Sequence, residues 1–513
     1  MKTLFAVLLT ILVAASLYTQ HLRRESDAGV PVLYWVTDAN PARTEQIRTF
    51  RNWLRKNGHP DFELRVDTVN SAPEKVVVQG VSGVCADLID HSGGASLRFR
   101  QAVGLMEDVT EDAQRLKFDI SQTYKTMEPD LTVDGRQYVF PCNVTSDLLW
   151  VNREVFEKAG MEPPPRRWTI EEFEAIGKEL VARANEPGKL QRVFFVIDVQ
   201  VNNLARTLGG EFFNETQTRC TINNDAFRRA LELRYKWTYE DHIIPTAAER
   251  SSFSTMAGYG GSGLALFGSG NYAMVIGGRY LLIQFRVFSD ERREEGRPPM
   301  SLSVSEWPVG SMPCSPVFTR ATGVYAGGKH KELAKLFLAF LASEDYNNNI
   351  VNDADALPPN PRYVQAEEYL RPAGRPEEWG CHEVFYEVMD EQAIPHEFSP
   401  YVLDSVAYRI QNEVIDLYMN DMVTVDRALE MIEKQINDEI DRTLEETPSL
   451  RARYEADCEL QSKIETLRQN NQPVPLAWIN NPFLRRWYQH QGWTDTPATT
   501  TTQPDDAPAT ARN

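Results

Sequence analysis

Strand-forming and helix-forming stretches alternate from Val30 onward, and this order limits the fold more than any other feature. VPVLYWV, FELRVDTV and GVCADLIDHSGG predict three strands, the third ending in a glycine turn. ARTEQIRTFRNWLRKNG predicts an amphipathic helix that ends at Gly58, and SLRFRQAVGL predicts the helix after the third strand. Strands joined by helices predict an α/β fold with a mainly parallel, doubly wound sheet.

In a doubly wound sheet, ligands bind beyond the carboxyl ends of the strands. Two polar loops occupy such positions in this sequence, and we expect ligand contacts from both. Their residues are Thr37, Asp38 and Asn40 after the first strand, and His91, Ser92, Gly93 and Gly94 after the third.

The chain has 513 residues, which is enough for two domains of ordinary size. Hydrophobic residues make up 42% and aromatic residues 10%, so the chain can form packed cores and global disorder is excluded. The formal net charge is -19, and no basic stretch offsets it. This charge argues against nucleic acid or an anionic membrane surface as a partner.

The N-terminal residues 1–25 carry an export signature. Lys2 is followed by the apolar stretch TLFAVLLTILVAASLY (3–18) and then by HLRRESD, which is typical of a secretory signal peptide. No small-x-small cleavage site follows Ser16, and the apolar run is at the lower limit for crossing a bilayer. A cleaved signal peptide and an uncleaved membrane anchor both stay open, and either predicts export.

The motifs of cofactor and metal sites are weak in this chain, and we expect neither kind of site. The six cysteines show no CxxC spacing; disulfides and free thiols both stay open, with fifteen pairings possible. GYGGSG (258–263) matches GxGxxG but lacks a preceding apolar strand, so it predicts a glycine loop rather than a dinucleotide site. HExxH, Walker A and GxSxG motifs are absent from the sequence.

Residues 148–173, LLWVNREVFEKAGMEPPPRRWTIEEF, contain several signals that start or stop helices and strands. It predicts a buried strand that ends at Asn152, a short helix that Gly160 stops, and an extended proline triplet. Thr169 and Glu172 have the spacing of a capping box that starts the next helix, and Trp168 and Phe173 have that of a hydrophobic staple. Taken alone, the stretch is equally consistent with an ordinary strand–helix–helix corner.

Together with DGRQYVFP (134–141) just before it, this stretch resembles extracellular solute-binding proteins of ABC importers. Within them it is similar to the family-1 branch, which binds maltodextrins and other sugars. Trp168–Thr169 reverses the order usual in the family. The similarity runs through residues 30–445 and is carried further by LGGEFFN (208–214), FGSGNYAMVIGGRY (267–280), GVYAGGKHKELAKLFLAFLAS (323–343) and TVDRAL (424–429).

The resemblance implies the type II periplasmic-binding-protein fold, in which a hinge joins two α/β lobes and the ligand binds between them. The chain would cross the hinge near residues 141–147, 303–309 and 345–355. The implied divisions are lobe 1 (30–142 and 306–345), lobe 2 (146–303 and 350–447), a helical, aromatic-rich extension (448–493) and a disordered tail (494–513). The extension departs from the family. It is either a helix packed on a lobe or a contact surface for a partner or the membrane.

The resemblance also implies ligand contacts, because sugars need aromatic faces and a fringe of polar groups. Tyr280 and Tyr408 match stacking positions, Arg279 would donate to ligand oxygens, and Thr145 matches a position where some relatives have a carboxylate. The loop at His91 lacks the aromatic and acidic residues that relatives supply there. The full predicted set is Asp38, Asn40, His91, Ser92, Gly93, Asn143, Thr145, Asp147, Gly278, Arg279, Tyr280 and Tyr408.

We therefore expect an exported, non-enzymatic receptor that closes on a sugar or oligosaccharide and delivers it to the permease subunits of an ABC importer. It would work in the periplasm or at the extracellular face of the membrane, without a cofactor. One alternative is an anchored sensor for a polar solute such as a polyol or a glycerol phosphate. The other is a glycoside hydrolase, for which Asp87 and Asp90 offer paired carboxylates.

Overall fold

The computed structural model of the chain describes residues 29–185, 192–252, 261–396 and 399–495. The predicted signal peptide or anchor (1–25), most of the predicted tail (496–513) and the first half of the GYGGSG loop (258–260) lie outside the described residues. None of the described helices is both long enough and apolar enough to span a membrane.

The described residues form twelve strands in two large sheets and one small hairpin. The strands are β1 (Val32–Val36), β2 (Glu63–Asp67), β3 (Leu88–Ser92), β4 (Thr132–Val133), β5 (Arg136–Gln137), β6 (Val139–Ser146), β7 (Leu148–Asn152), β8 (Phe194–Val196), β9 (Tyr272–Gly277), β10 (Leu302–Ser305), β11 (Ser315–Val324) and β12 (Ala393–Pro395).

Twenty α-helices surround these sheets in the described part of the chain. They are α1 (Ala42–Lys56), α2 (Pro73–Val81), α3 (Gly94–Ala102), α4 (Thr110–Arg115), α5 (Glu128–Leu131), α6 (Arg153–Lys158), α7 (Ile170–Ala184), α8 (Val201–Thr207), α9 (Asp225–Tyr239), α10 (Ala247–Ser252), α11 (Gly261–Ser269), α12 (Leu282–Glu294), α13 (Lys331–Leu341), α14 (Glu344–Asp353), α15 (Glu367–Leu370), α16 (His382–Glu391), α17 (Asp404–Met419), α18 (Val425–Glu446), α19 (Arg451–Gln469) and α20 (Pro482–Gln491).

The two large sheets belong to two lobes. The first has the order β12-β11-β3-β1-β2, with β6 also paired to β11, and the second has the order β10-β7-β9-β8. β1 runs parallel to β2 and β3, as the alternating pattern predicts, and β8 runs parallel to β9. The sheets as wholes are mixed, because β11 runs antiparallel to β3 and β6, and β7 runs antiparallel to β9 and β10. These antiparallel strands flank the points where the chain passes between the lobes.

The chain passes directly from one sheet to the other at Asp147. β6 ends at Ser146 in the first sheet, and β7 begins at Leu148 in the second. A return crossing joins β10 of the second sheet to β11 of the first through residues 306–314. One strand departs from the predicted division of the chain. β12 lies in a range assigned to lobe 2, but it pairs in parallel with residues 315–317 of β11 in the first sheet.

Residues 148–173, directly after Asp147, fold largely as their sequence predicts. Thr169 and Glu172 make the reciprocal hydrogen bonds of a capping box, and the rings of Trp168 and Phe173 pack edge to face at 5.3 Å. Gly160 adopts a left-handed conformation with φ 67°. Asn152 precedes the helix as predicted, but its side chain does not cap the helix; its amide donates to the Phe267 carbonyl. These local contacts hold the start of lobe 2 rigid against its own sheet.

The C-terminal extension packs on lobe 2, around a buried Glu215. The Glu215 carboxylate accepts hydrogen bonds from Gln461 and Arg468 of α19, both at 2.8 Å, and from Tyr488 of α20. Phe483 adds an apolar contact with Met312, Cys314 and Ile394 near the hinge. The six cysteines, all in the described part of the chain, form no disulfide with one another, and only Cys458 is not buried.

Candidate ligand site at the hinge

Asp147 is the centre of a cluster of polar and aromatic side chains where the lobes meet. Its side chain is buried, and the Tyr280 side chain forms a hydrogen bond with its carboxylate. Its backbone carbonyl accepts from Trp307 at 2.7 Å and from Ser315 at 3.2 Å. Asp147 is therefore fixed by its backbone, while its carboxylate is directed toward Tyr280.

His396 lies on the other side of this cluster, directly after β12. It shares a 2.5 Å hydrogen bond with the hydroxyl of Tyr408, and the two rings meet edge to face at 5.6 Å. The Phe318 ring lies against the imidazole with centroids 4.4 Å apart. Phe318 belongs to the first sheet and Tyr408 to a helix of the second lobe, so aromatic groups from both lobes meet at His396.

Thr145 and Gly278 pack against each other at one side of the cluster. Thr145 is the strand partner of Phe318 in the β6–β11 ladder. Gly278 packs so tightly on the Thr145 hydroxyl that any side chain at this position would displace it. Predicted residues Thr145, Asp147, Gly278, Tyr280 and Tyr408 thus converge in one place.

The loop after β3 forms the wall of the site on the lobe 1 side. Gly93 has φ 86°, and a Cβ built on it would lie 4.0 Å from a carboxylate oxygen of Asp404 in lobe 2. Beside it, Ser405 donates a 2.5 Å hydrogen bond to Glu74 of lobe 1. The lobes therefore touch at this loop. Ser92 is exposed there.

Asp130 belongs to the same wall, although sequence patterns did not predict it. It is 3% exposed and lies beside Gly94, where an added Cβ would come within 2.3 Å of the Pro129 carbonyl oxygen and 3.3 Å of the Asp130 carboxylate. Burial raises the pKa of the Asp130 carboxyl to about 6, while hydrogen bonding with the Thr319 side chain, and then His396, act in the opposite direction. Burial likewise raises the pKa of Asp147 to about 6, with His396 and Tyr280 again opposing the rise.

Arg279 is directed away from this cluster. Its side chain is fully buried and donates to the carbonyls of Ala356 at 2.8 Å and Val351 at 3.1 Å, and to His382 at 3.0 Å. Arg279 therefore has no exposed atom with which to make its predicted contact with ligand oxygens. The guanidinium instead holds residues 351–356, at the predicted third crossing of the hinge, against lobe 2.

Asn40 and Asn143 contact Asp355, in the predicted third crossing, rather than the cluster. Both are buried; the Asn40 amide donates to the Asp355 carboxylate at 3.4 Å, and the Asn143 amide donates to the Asp355 carbonyl at 3.1 Å. Asp38 pairs with Arg43 at 2.7 Å. Burial opposes the effect, but this hydrogen bond holds the pKa of Asp38 below its usual value. Asn40 and Asn143 thus hold Asp355, whereas Asp38 is half exposed and is held by Arg43 within lobe 1.

His91 is buried behind the loop that it was predicted to supply. Arg100 lies 3.2 Å from its ring nitrogen, and burial together with Arg100 lowers the pKa of His91 well below its usual range. The imidazole is therefore neutral and inside lobe 1. Of the predicted loop, only Ser92 and Gly93 reach the space between the lobes.

Phe318, His396 and Asp130 are the residues of the cluster that sequence reasoning missed. No motif surrounds them, and they come from three segments far apart in the chain. Phe318 is the one aromatic residue of its strand, SPVFTRATGV, which is the only signal that the sequence offered for it. The described residues contain no group of three or more histidine, cysteine or acidic side chains that could hold a metal ion.

A family model for the bacterial extracellular solute-binding protein matches residues 42–348, more than half of the chain. The chain belongs to this family. The predicted resemblance is thereby confirmed, and so is the fold class: two α/β lobes of the type II periplasmic-binding-protein fold with an added helical extension.

Solved structures share this solute-binding fold. An ABC substrate-binding protein of Listeria monocytogenes in complex with cycloalternan is 21% identical, with a TM-score of 0.65 over 80% of this chain and 98% of the other. The maltose/maltodextrin-binding domain of MalE from Bdellovibrio bacteriovorus, bound to maltotriose, is 14% identical, with a TM-score of 0.62 over 81% and 100% of the two chains.

A curated relative in Brucella abortus (strain 2308), described as a binding protein, is 23% identical over 243 residues. That match covers 47% of this chain and 55% of the relative, so the chain spans about half the length of the curated relatives it matches. The family and these relatives are binding proteins.

Proposed function

We propose that this solute-binding protein is the substrate-binding component of an ABC importer, capturing a sugar or oligosaccharide between its lobes. The observation that carries the proposal is the hinge cluster, which combines the aromatic rings of Tyr280, Phe318 and Tyr408 with the buried carboxylate of Asp147. Pyranose rings have an apolar face and a rim of hydroxyl groups, and such a cluster suits both. The oligosaccharides bound to the solved relatives support the same class of ligand.

Binding works by selecting the closed arrangement of the lobes. A ligand that contacts Tyr280 in lobe 2 and Phe318 in lobe 1 stabilises closure only by its differential affinity for the closed state. The closed, loaded protein then docks on a membrane permease, which a separate ATPase drives. Residues 3–18 export the protein or anchor it, so that docking takes place outside the cytoplasm.

No chemical step is part of this function, and the ligand leaves unchanged. A hydrolase would need two carboxylates free to act on a glycosidic bond. Asp90, one of the predicted pair, accepts hydrogen bonds from Trp35 at 2.6 Å, Thr37 at 2.5 Å and Arg320 at 3.0 Å. Its oxygens are occupied by lobe 1 itself, which favours a structural role.

Thermal shift of the purified chain against mono- and oligosaccharides tests this proposal. A ligand at a hundred times its Kd stabilises the folded state by about 2.7 kcal/mol, which is a clear rise in Tm. We expect Tyr280→Ala to abolish the shift. Tyr235→Ala is the matched control, since Tyr235 is also half-buried in lobe 2 but hydrogen-bonds Asp421 on its outer side.

Chromatography of the ligand after incubation completes the test. An unchanged ligand agrees with a receptor, whereas cleaved product would show an enzyme. A Tm that no sugar raises, in a chain that is folded by circular dichroism, would contradict sugar binding.

A further inference from the structure

The C-terminal extension contacts lobe 1 as well as lobe 2, on which it is docked. Arg453, in the first turn of α19, pairs with Asp134 at 3.2 Å. Asp134 lies in the turn of the β4–β5 hairpin, which belongs to lobe 1. The two residues are 319 positions apart in the chain, so this pair joins lobe 1 to a segment that is fixed elsewhere.

The other end of the extension is held on lobe 2, beside the hinge. The backbone amides of Asn480 and Asn481 donate to the Glu215 carbonyl at 2.8 and 2.9 Å. Phe483, at the start of α20, is fully buried against Met312 of the return crossing. Buried contacts of this kind are made once and kept, so this end of the extension stays in place when the lobes move.

The contact with lobe 1 is of a different kind. The side chains of Arg453 and Asp134 are 34% and 70% exposed, and an exposed ion pair stabilises one arrangement only weakly. Arg453 also lies 3.9 Å from Asp457 of its own helix, and Asp457 accepts a 2.5 Å hydrogen bond from Tyr401 of lobe 2. The guanidinium therefore keeps one carboxylate partner when Asp134 moves away.

A cleft of about 940 Å³ lies beside this ion pair, between lobe 1 and the extension. Asp134 and Lys125 line it from lobe 1, and Arg453 and Arg485 line it from the extension. Two bodies are expected to move relative to each other unless a large apolar interface joins them. Here a cleft takes the place of such an interface, so lobe 1 is free to swing at this face while the extension stays on lobe 2.

We infer that the extension is a latch across the hinge: fixed to lobe 2 around Glu215, it holds lobe 1 through the Arg453–Asp134 pair. The latch favours the arrangement described here, in which the lobes touch and Ser405 donates to Glu74. Because solute selects the closed arrangement, a larger closed fraction in the free protein lowers the apparent Kd. The effect on affinity rests on the proposed function, whereas the effect on the lobes does not.

Arg453→Met and Asp134→Asn each open the latch without touching the hinge cluster or Glu215. Asparagine suits position 134, because φ is 51° there. Small-angle X-ray scattering of the purified chain without solute measures how far the lobes separate. We expect each variant to have a larger radius of gyration than the natural protein. We expect the double variant to match the single ones, because both substitutions remove the same contact.

Exchange of the two charges tests the pair itself. Arg453→Glu places like charges together and should open the lobes further, whereas Arg453→Glu combined with Asp134→Lys should restore the natural radius. Lysine is tolerated in this backbone conformation, as Lys117 shows at φ 53°. Arg442→Met is the control, since Arg442 is also exposed but pairs with Glu439 within α18, and we expect no change in radius.

Isothermal titration calorimetry with maltotriose tests the consequence for affinity. We expect the Kd to rise about two- to fivefold in Arg453→Met and in Asp134→Asn, as for the loss of one exposed ion pair, and to stay constant in Arg442→Met.

Two results would overturn the latch whatever maltotriose does. One is an unchanged radius in both single variants. The other is a larger radius accompanied by fast tryptic cleavage within 448–493, which would show that the extension has undocked. A larger radius with the extension intact, together with failure of maltotriose and the wider sugar panel to bind, would remove the proposed function and leave the latch standing.

Discussion

The Arg43 guanidinium donates to the Asp355 carboxylate at 2.7 Å, and both side chains are at most 3% exposed. This pair joins the first helix of lobe 1 to the third hinge crossing. Arg279 of lobe 2 holds the same crossing from the other side, through the carbonyls of Val351 and Ala356. Two buried arginines, Arg43 of lobe 1 and Arg279 of lobe 2, thus bind the predicted third crossing from opposite sides.

Replacing Arg43 tests how much its ion pair with Asp355 stabilises the protein. Arg43→Met leaves the Asp355 carboxylate buried, with Arg320 3.8 Å away as its remaining cation. We expect the free energy of unfolding to fall by about 3–5 kcal/mol, as for other broken buried ion pairs. Urea unfolding followed by circular dichroism measures it.

Arg48→Met is the control for Arg43→Met, because Arg48 is on the same helix but its pair with Glu45 is exposed. We expect little change in the urea midpoint for this variant, since exposed ion pairs contribute little. Equal destabilisation by the two variants would contradict a special role for the buried pair.

Phe318 is the second test, because no sequence motif predicted it. Phe318→Ala removes the ring that packs on His396 at 4.4 Å. We expect the ligand found in the thermal-shift screen to bind about tenfold more weakly, since loss of an aromatic contact costs about 1 kcal/mol or more. Phe288→Ala, a half-buried phenylalanine on the outer helix α12, serves as the control. Unchanged affinity in Phe318→Ala would place the ligand elsewhere.

The carboxyl of Asp147 predicts a pH dependence of stability. Burial raises its pKa from 3.8 to about 6 in the folded protein. Between these values the folded state holds a proton that the unfolded state has released, so this group lowers stability as pH rises through the window. The slope is at most about 1.4 kcal/mol per pH unit.

Asp147→Asn removes this titration. We expect the free energy of unfolding of the variant, minus that of the natural protein, to grow as pH rises from 3.8 to about 6 and then to level off. Urea unfolding across this range at constant ionic strength measures the difference. A difference that does not change with pH would show that Asp147 has an ordinary pKa.

Glu215 is the test of how the extension is attached. Glu215→Ala removes the acceptor of Gln461, Arg468 and Tyr488, and leaves Arg468 without this ion pair. We expect trypsin to cut within residues 448–493 far faster than in the natural protein, because undocked helices open more often. Mass spectrometry of the fragments locates the cuts.

Glu465→Ala is the matched control for Glu215→Ala. Glu465 also accepts from Gln461, at 3.2 Å, but it is exposed. We expect its cleavage pattern to match that of the natural protein. Slow cleavage in both variants would show that apolar contacts such as Phe483 on Met312 and Ile394 hold the extension alone.

Many of the features that were predicted correctly depend on residues that lie close together in the chain. The capping box of Thr169 and Glu172 and the left-handed Gly160 depend on spacing within a few residues. Helix α2 escaped prediction, because its β-branched valines favour a strand while Val78 and Val81 are exposed on the helix. The ordered motifs along the chain identified the family, and with it the two-lobed fold.

By itself, then, the sequence determined the local elements and the family, because both are carried by short motifs. The family resemblance also singled out Thr145, Asp147, Gly278, Tyr280 and Tyr408, but only the packing of the two lobes brings them together. Tertiary structure alone decided which polar residues line the cluster and which hold the hinge. Asn143 and Asp355 meet across 212 residues of chain, and β12 returns to lobe 1 to place His396 beside Phe318. Such contacts depend on how buried polar groups find partners once the sheets are packed, and spacing along the chain does not carry that information.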